Sequence, residues 1–134
     1  MTAFPLKIVT PDGVRYDASA EELIVRTTSG DVGILAGHAN FVAPLGMGEA
    51  VILTDGKKRR GACIGGMVSV VDGAVTLLPS TFEWAEAIDV DRAAVSEARA
   101  RGILERKDAS DSELVLAQAR LKRALVRKSV ANRK

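Results

Sequence analysis

The sequence predicts an α+β chain: a small antiparallel β-sandwich or barrel over residues 1–87, then an antiparallel two-helix hairpin over residues 88–134. Three observations predict it. Asp-Gly pairs at Asp12-Gly13, Asp55-Gly56 and Asp72-Gly73 are flanked by β-branched or alternating stretches, and Asp-Gly suits the positive φ angles of tight hairpin turns. Beyond Pro79 the apolar period changes from two to between three and four. The charge also changes sign: residues 1–88 hold seven Lys and Arg against ten Asp and Glu, net −3, whereas residues 89–134 hold twelve against seven, net +5.

The elements follow in order. Phe4, Leu6, Ile8 and Thr10 alternate with Lys7 and Val9, as in a strand with one buried face. After the turn at Pro11 to Gly13, Val14 to Tyr16 pair back. Glu22 to Thr28 form a second β-branched stretch, ended by Ser29-Gly30-Asp31, and Gly33 to Leu35 follow. The segment 36–44 begins as a loop before apolar Phe41 and Val42. Ala50 to Thr54 and Lys57 to Ile64 flank the second Asp-Gly turn; Met67 to Val71 and Ala74 to Leu78 flank the third. Such closely spaced short strands make a sandwich or barrel.

Asp89 is a good N-cap for a helix beginning at Val90, since its carboxylate can accept from free amides of the first turn. Val90, Ala93, Ala94, Ser96, Glu97 and Ala98 suit a narrow face of small residues, and Gly102 weakens the last turns. Ser110 and Glu113 have capping-box spacing, so a second helix is expected from about Asp111. Its Leu114, Ala117, Leu121, Ala124 and Leu125 fall on one face. An alanine-lined hairpin buries little apolar area per residue, so it is expected to leave its docking site at modest cost.

Composition narrows the function. The single cysteine, Cys63, cannot form an internal disulfide or a cysteine-based zinc cluster. Residues 1–6 lack the features of a signal peptide, and no apolar run approaches the roughly 20 residues of a membrane span. No P-loop, Gly-x-Ser-x-Gly elbow or paired-carboxylate motif is visible, so neither an enzyme nor a catalytic residue is expected.

The stretch Gly33-Ile34-Leu35-Ala36-Gly37-His38-Ala39-Asn40-Phe41-Val42-Ala43-Pro44-Leu45 resembles the glycine-histidine loop of the epsilon subunits of bacterial F-type ATP synthases. Val9-Thr10-Pro11-Asp12-Gly13, Gly65-Gly66-Met67-Val68-Ser69-Val70 and the sandwich-then-hairpin order fit the same family. Ala36 and Asn40 replace prolines common there and are expected to loosen the loop. The resemblance implies a sandwich rather than a barrel, and a non-catalytic rotor subunit. Its partners would be the gamma subunit, the c-subunit ring and, with the hairpin extended, the alpha and beta subunits of the catalytic head, with no nucleic acid. It would lie peripherally on the cytoplasmic face of the membrane. By position, Ser29, Gly30, Asp31 and His38 resemble the edge that rests on the c ring. The plain alternative for His38 is a locally hydrogen-bonded loop residue, and no metal site is expected.

Ile88-Asp89-Val90-Asp91-Arg92-Ala93 resembles the Ile-Asp-x-x-Arg-Ala motif of epsilon subunits that bind ATP. ATP would then be a regulatory ligand, and no cofactor is required. Glu83, Arg99, Arg123 and Arg127 join the expected site once the hairpin folds back. Arginines can grip phosphate oxygens in bidentate fashion at a helix start already suited to anions. Asp89 can accept from the adenine amino group, Ile88 and Ala93 can cover a ring face, and Glu83 suits a ribose or an arginine. The alternative is a solvated basic face with intrahelical ion pairs worth at most about 0.5 kcal/mol each. Residues 120–134 hold seven basic and no acidic residues. An extended second helix would carry this run to the catalytic head and restrain hydrolysis, as the resemblance implies. The competing class is a basic-helix nucleic-acid-binding module, with little aromatic support: Trp84 and Tyr16 lie outside the basic run.

Overall fold

The computed structural model describes residues 2–132. One sheet orders its strands β2 (Gly13–Ala20), β1 (Phe4–Thr10), β9 (Ala74–Leu78), β8 (Met67–Val71) and β5 (Phe41–Pro44). The other orders β10 (Thr81–Trp84), β7 (Lys57–Ile64), β6 (Met47–Thr54), β3 (Glu22–Thr27) and β4 (Gly30–Leu35). Alternate residues of both sheets, among them Leu6, Ile8, Leu23, Ile52 and Leu77, fill the aliphatic core of a sandwich. The pairings are antiparallel except for β1 with β9, which run parallel.

Two of the Asp-Gly pairs make two-residue turns with both residues at positive φ: Asp55 at 52° and Gly56 at 72°, Asp72 at 49° and Gly73 at 83°. At the third only Gly13 is positive, with Pro11 at the corner. There Thr10 Oγ1 donates to the Gly13 carbonyl and accepts from the Asp12 amide, each at 3.2 Å. Thr27 repeats the device, donating to the Gly30 carbonyl and accepting from the Ser29 amide. Thus Thr28-Ser29 forms a two-residue hairpin turn, and β4 begins at Gly30, three residues earlier than expected. Strand β10 was not expected. It is a four-residue edge strand anchored by Phe82, whose ring lies where a side chain at Gly61 would sit. Cys63 is buried between the sheets, and desolvation pushes its thiol up to about 12.

After a single 3-10 turn, Ala85–Ala87, come α1 (Val90–Glu105) and α2 (Asp111–Ala131). Asp89 caps α1 by accepting from the Arg92 amide at 3.0 Å, and Ser110 with Glu113 completes the capping box of α2. The helices meet over Ala93, Ala100, Ala117 and Ala124, all buried. Ala94, Ala98 and Leu125 instead face solvent, because α1 packs mainly against α2 and alanine gives a face little direction. The hairpin docks through the end of α2: Val130 and Ala131 pack with Ala62 of β7 and with Ala85 and Ile88 of the linker. The proposed domain division at 87/88 falls in this linker. Arg133 and Lys134, the last of the basic run, lie outside the described residues.

Candidate functional site

Where the β1–β2 corner, β10, the start of α1 and the end of α2 converge, they enclose a cleft of about 460 Å³, within the range of small-molecule sites. Five expected residues line it: Glu83, Asp89, Arg92, Ala93 and Arg127. Arg127 Nε donates to Glu83 Oε1 at 2.6 Å, which ties α2 to β10 across 44 residues and makes Glu83 an arginine partner. Asp89 already spends one oxygen on capping α1. Arg92 has no side-chain hydrogen bond or ion pair among the described residues.

Three expected residues are placed otherwise. Ile88 is buried beneath the linker with Ala85 and Val130 instead of lining the cleft. Arg99 is exposed on α1 seven residues past Arg92, about 10 Å along the axis, and Arg123 lies one turn before Arg127 on α2. Both continue the cleft's walls without lining it. Sequence reasoning missed Thr10, Asp12, Arg15, Thr81, Phe82, Ala87 and Ser96. The Thr-Pro-Asp-Gly corner was visible, but nothing local says that it folds against α1.

Glu97 joins the helices, accepting from Lys128 at 2.7 Å and Arg101 at 3.0 Å. The hydrogen bond from Lys128, then that from Arg101, holds its carboxyl below the usual range.

The four residues expected at a c-ring edge separate into two groups. Ser29 lies in the β3–β4 turn and Gly30 and Asp31 open β4, where Asp31 pairs with Arg26 at 2.5 Å. The hydrogen bond from Arg26 keeps the Asp31 carboxyl low. His38 lies beyond the other end of β4, a strand roughly 17 Å long at about 3.4 Å per residue. Its Nδ1 lies 2.8 Å from the Ala39 carbonyl oxygen and its ring 5.7 Å from Phe41. The side-chain oxygen of Asn40 in this loop accepts from the Asp72 amide at 2.8 Å.

Fold and site together define a class: a two-sheet sandwich carrying a docked helical hairpin, with an arginine-lined cleft at their junction. Residues 3–85 match the family of the ATP synthase Delta/Epsilon chain beta-sandwich domain. The ATP synthase epsilon chain of Ruminococcus albus is 46% identical, covering 100% of both chains. That of Bacillus licheniformis is 41% identical over 98% of this chain and 99% of its own. The chain belongs to the ATP synthase epsilon chain family. The fold recurs in a chain of the cryo-EM structure of the Euglena gracilis mitochondrial ATP synthase OSCP/F1/c-ring, with TM-score 0.85, 23% identity and coverage of 96% of this chain and 81% of that one. It recurs also in the central stalk/c-ring structure of the Tetrahymena thermophila mitochondrial ATP synthase, with TM-score 0.67, 13% identity and 95% coverage of both. Among the described residues no helix is long and apolar enough to cross a membrane.

Proposed function

We propose that this chain is a non-catalytic rotor subunit of an F-type ATP synthase. Its sandwich binds the gamma subunit and the c-subunit ring, and its hairpin is a regulatory element that binds ATP when folded. The observation that carries the regulatory reading is the cleft, where Glu83, Asp89, Arg92, Ala93 and Arg127 converge from three elements although 44 residues separate the first from the last. Arginines beside a helix N-terminus suit a phosphate chain, and Asp89 retains an oxygen for an amino group. Arg99 and Arg123 are second-rank candidates, within reach of a long ligand that extends along the helices.

ATP held between hairpin and sandwich favours the docked state by its differential affinity for it. With the ligand gone, the hairpin opens, α2 extends toward the alpha and beta subunits, and hydrolysis is restrained. The two groups at opposite ends of β4 suit separate contacts, so Ser29 to Asp31 and His38 need not share one surface on the c ring. Peripheral attachment at the cytoplasmic face follows from this assembly. A nucleic-acid-binding role is less well supported, because Arg127 and Lys128 of the basic run are already paired with Glu83 and Glu97.

Calorimetric titration of the full chain with ATP tests the nucleotide reading, with ADP and Arg92→Ala as controls. One-to-one binding that prefers ATP and weakens tenfold or more in Arg92→Ala is expected. No saturation at millimolar ATP would remove ATP from the mechanism. In a reconstituted complex, deletion of residues 111–134 is expected to raise hydrolysis; unchanged hydrolysis would remove the restraint.

A further inference from the structure

Arg15 of β2 enters the cleft from the sandwich side, opposite Arg92 of α1. The cleft's other charges are largely spoken for: Arg127 is paired with Glu83, and Asp89 caps α1. That leaves the guanidinium groups of Arg15 and Arg92, neither with a side-chain hydrogen bond or ion pair among the described residues, in one cleft with the carboxylates of Asp12 and Asp89. Two guanidiniums without a side-chain partner line one cleft, one from each module, and a phosphate chain between them can accept from both in bidentate fashion.

The position of Arg15 has a structural cause. Strand β2 is the edge of one sheet and β10 the edge of the other, and Tyr16 meets Trp84 across the gap with ring centroids 6.3 Å apart. The residue beside Tyr16 is thereby brought to the rim on which α1 begins.

We propose that Arg15 is a phosphate ligand: with Arg92 it holds the phosphate chain of a nucleoside polyphosphate, so that the bound ligand itself clamps the hairpin to the sandwich. This rests on the nucleotide reading above and adds to it a cationic contact from the other sheet of the sandwich. Arg15 stands beside Thr10 and Asp12 of the β1–β2 corner, which is expected to stiffen when the phosphate chain binds.

The test is calorimetry of the full chain, comparing wild type, Arg15→Ala and Arg15→Lys with ATP and with tripolyphosphate, beside amide exchange of wild type with and without ATP. Loss of a charge-assisted contact weakens binding about tenfold to a hundredfold. That loss is expected for both ligands in Arg15→Ala, and a smaller one in Arg15→Lys, which keeps the charge but not the fork. Exchange at residues 12–15 is expected to slow with ATP along with the first turn of α1. If wild type binds ATP while folded Arg15→Ala binds it equally well, or exchange at 12–15 does not respond, the clamp is wrong and the nucleotide reading stands. If wild type binds neither ligand, both fall together.

Discussion

Replacing Val130 by alanine is expected to release the hairpin while leaving the sandwich intact. Val130 is 1% exposed and sits among Ala62, Ala85, Ile88 and Ala131, where the end of α2 meets β7 and the linker. Its truncation removes two methyl groups, about 0.8 kcal/mol each in transfer free energy, and leaves a small cavity, so the docked state loses about 2 kcal/mol. At 1.4 kcal/mol per tenfold, the open population rises roughly 30-fold. Few other contacts can absorb the loss, because the remaining docking side chains are mostly alanines and the Arg127–Glu83 pair, partly exposed, contributes at most about 1 kcal/mol. Native-state amide exchange reads this directly: opening free energies across α1 and α2 are expected to fall by about 2 kcal/mol while those of β1, β3 and β6 stay unchanged. Val115→Ala, at a position 66% exposed on the same helix, is the control and is expected to stay within about 0.5 kcal/mol. Equal loss of protection in helices and sandwich would refute the separate opening of the hairpin. No loss anywhere would refute the assignment of docking to this cluster.

Acid is expected to loosen the hairpin. Glu97 is held low by Lys128 and then Arg101, so its contribution is complete above the unfolded carboxylate value of about 4.3 and is lost as the pH falls through the lower folded value. Glu113, held low by the backbone and side chain of Ser110, loses its part in the α2 cap over the same direction of pH. Helix protection followed from pH 7 to pH 3 is expected to decline, and less steeply in Glu97→Gln; identical profiles would remove Glu97 from the helix–helix contact. Asp89→Ser keeps an N-cap acceptor but cannot reach into the cleft, whereas Asp89→Ala loses both, with about 1 kcal/mol of helix stability gone. If Asp89 touches the nucleotide, both variants lose ATP affinity while only Asp89→Ala frays α1. Retained affinity in Asp89→Ser would confine Asp89 to capping.

What was legible in the sequence was local chemistry. Both helix starts followed from one or two side chains, Asp89 for α1 and Ser110 with Glu113 for α2, because a cap satisfies amides within three residues of itself. The turns at Asp55-Gly56 and Asp72-Gly73 were equally local. Pairings over long separations were not legible. The parallel pairing of β1 with β9 joins residues nearly 70 apart, and β10 is too short for its alternation to register. The site divided in the same way. Asp89, Arg92 and Ala93 were visible as a motif resembling that of ATP-binding relatives, and folding the expected hairpin back brought Arg127 near them. Arg15 was not, since only the meeting of two sheet edges brings it beside α1.

On the proposed reading, the loss expected from Val130→Ala and the stabilisation supplied by a bound ligand are comparable, and this is what would let the hairpin act as a switch. A ligand that binds only the docked state stabilises it by RT ln(1 + [L]/Kd), about 2.7 kcal/mol at a hundredfold excess over Kd. That slightly exceeds the loss expected from Val130→Ala. On the proposed reading, saturating ATP therefore restores helix protection in Val130→Ala, and fails to do so once Arg92 is also removed. A hairpin held by a leucine-rich face would be indifferent to a ligand of this affinity, because its docking energy would exceed anything the ligand adds. The buried alanines at 93, 100, 117 and 124 keep the helices close while burying little area, so a balance between docked and open states would rest on the small cluster around Val130 and on a cleft of charges. On the proposed reading, low burial at this junction is thus the physical condition for regulation.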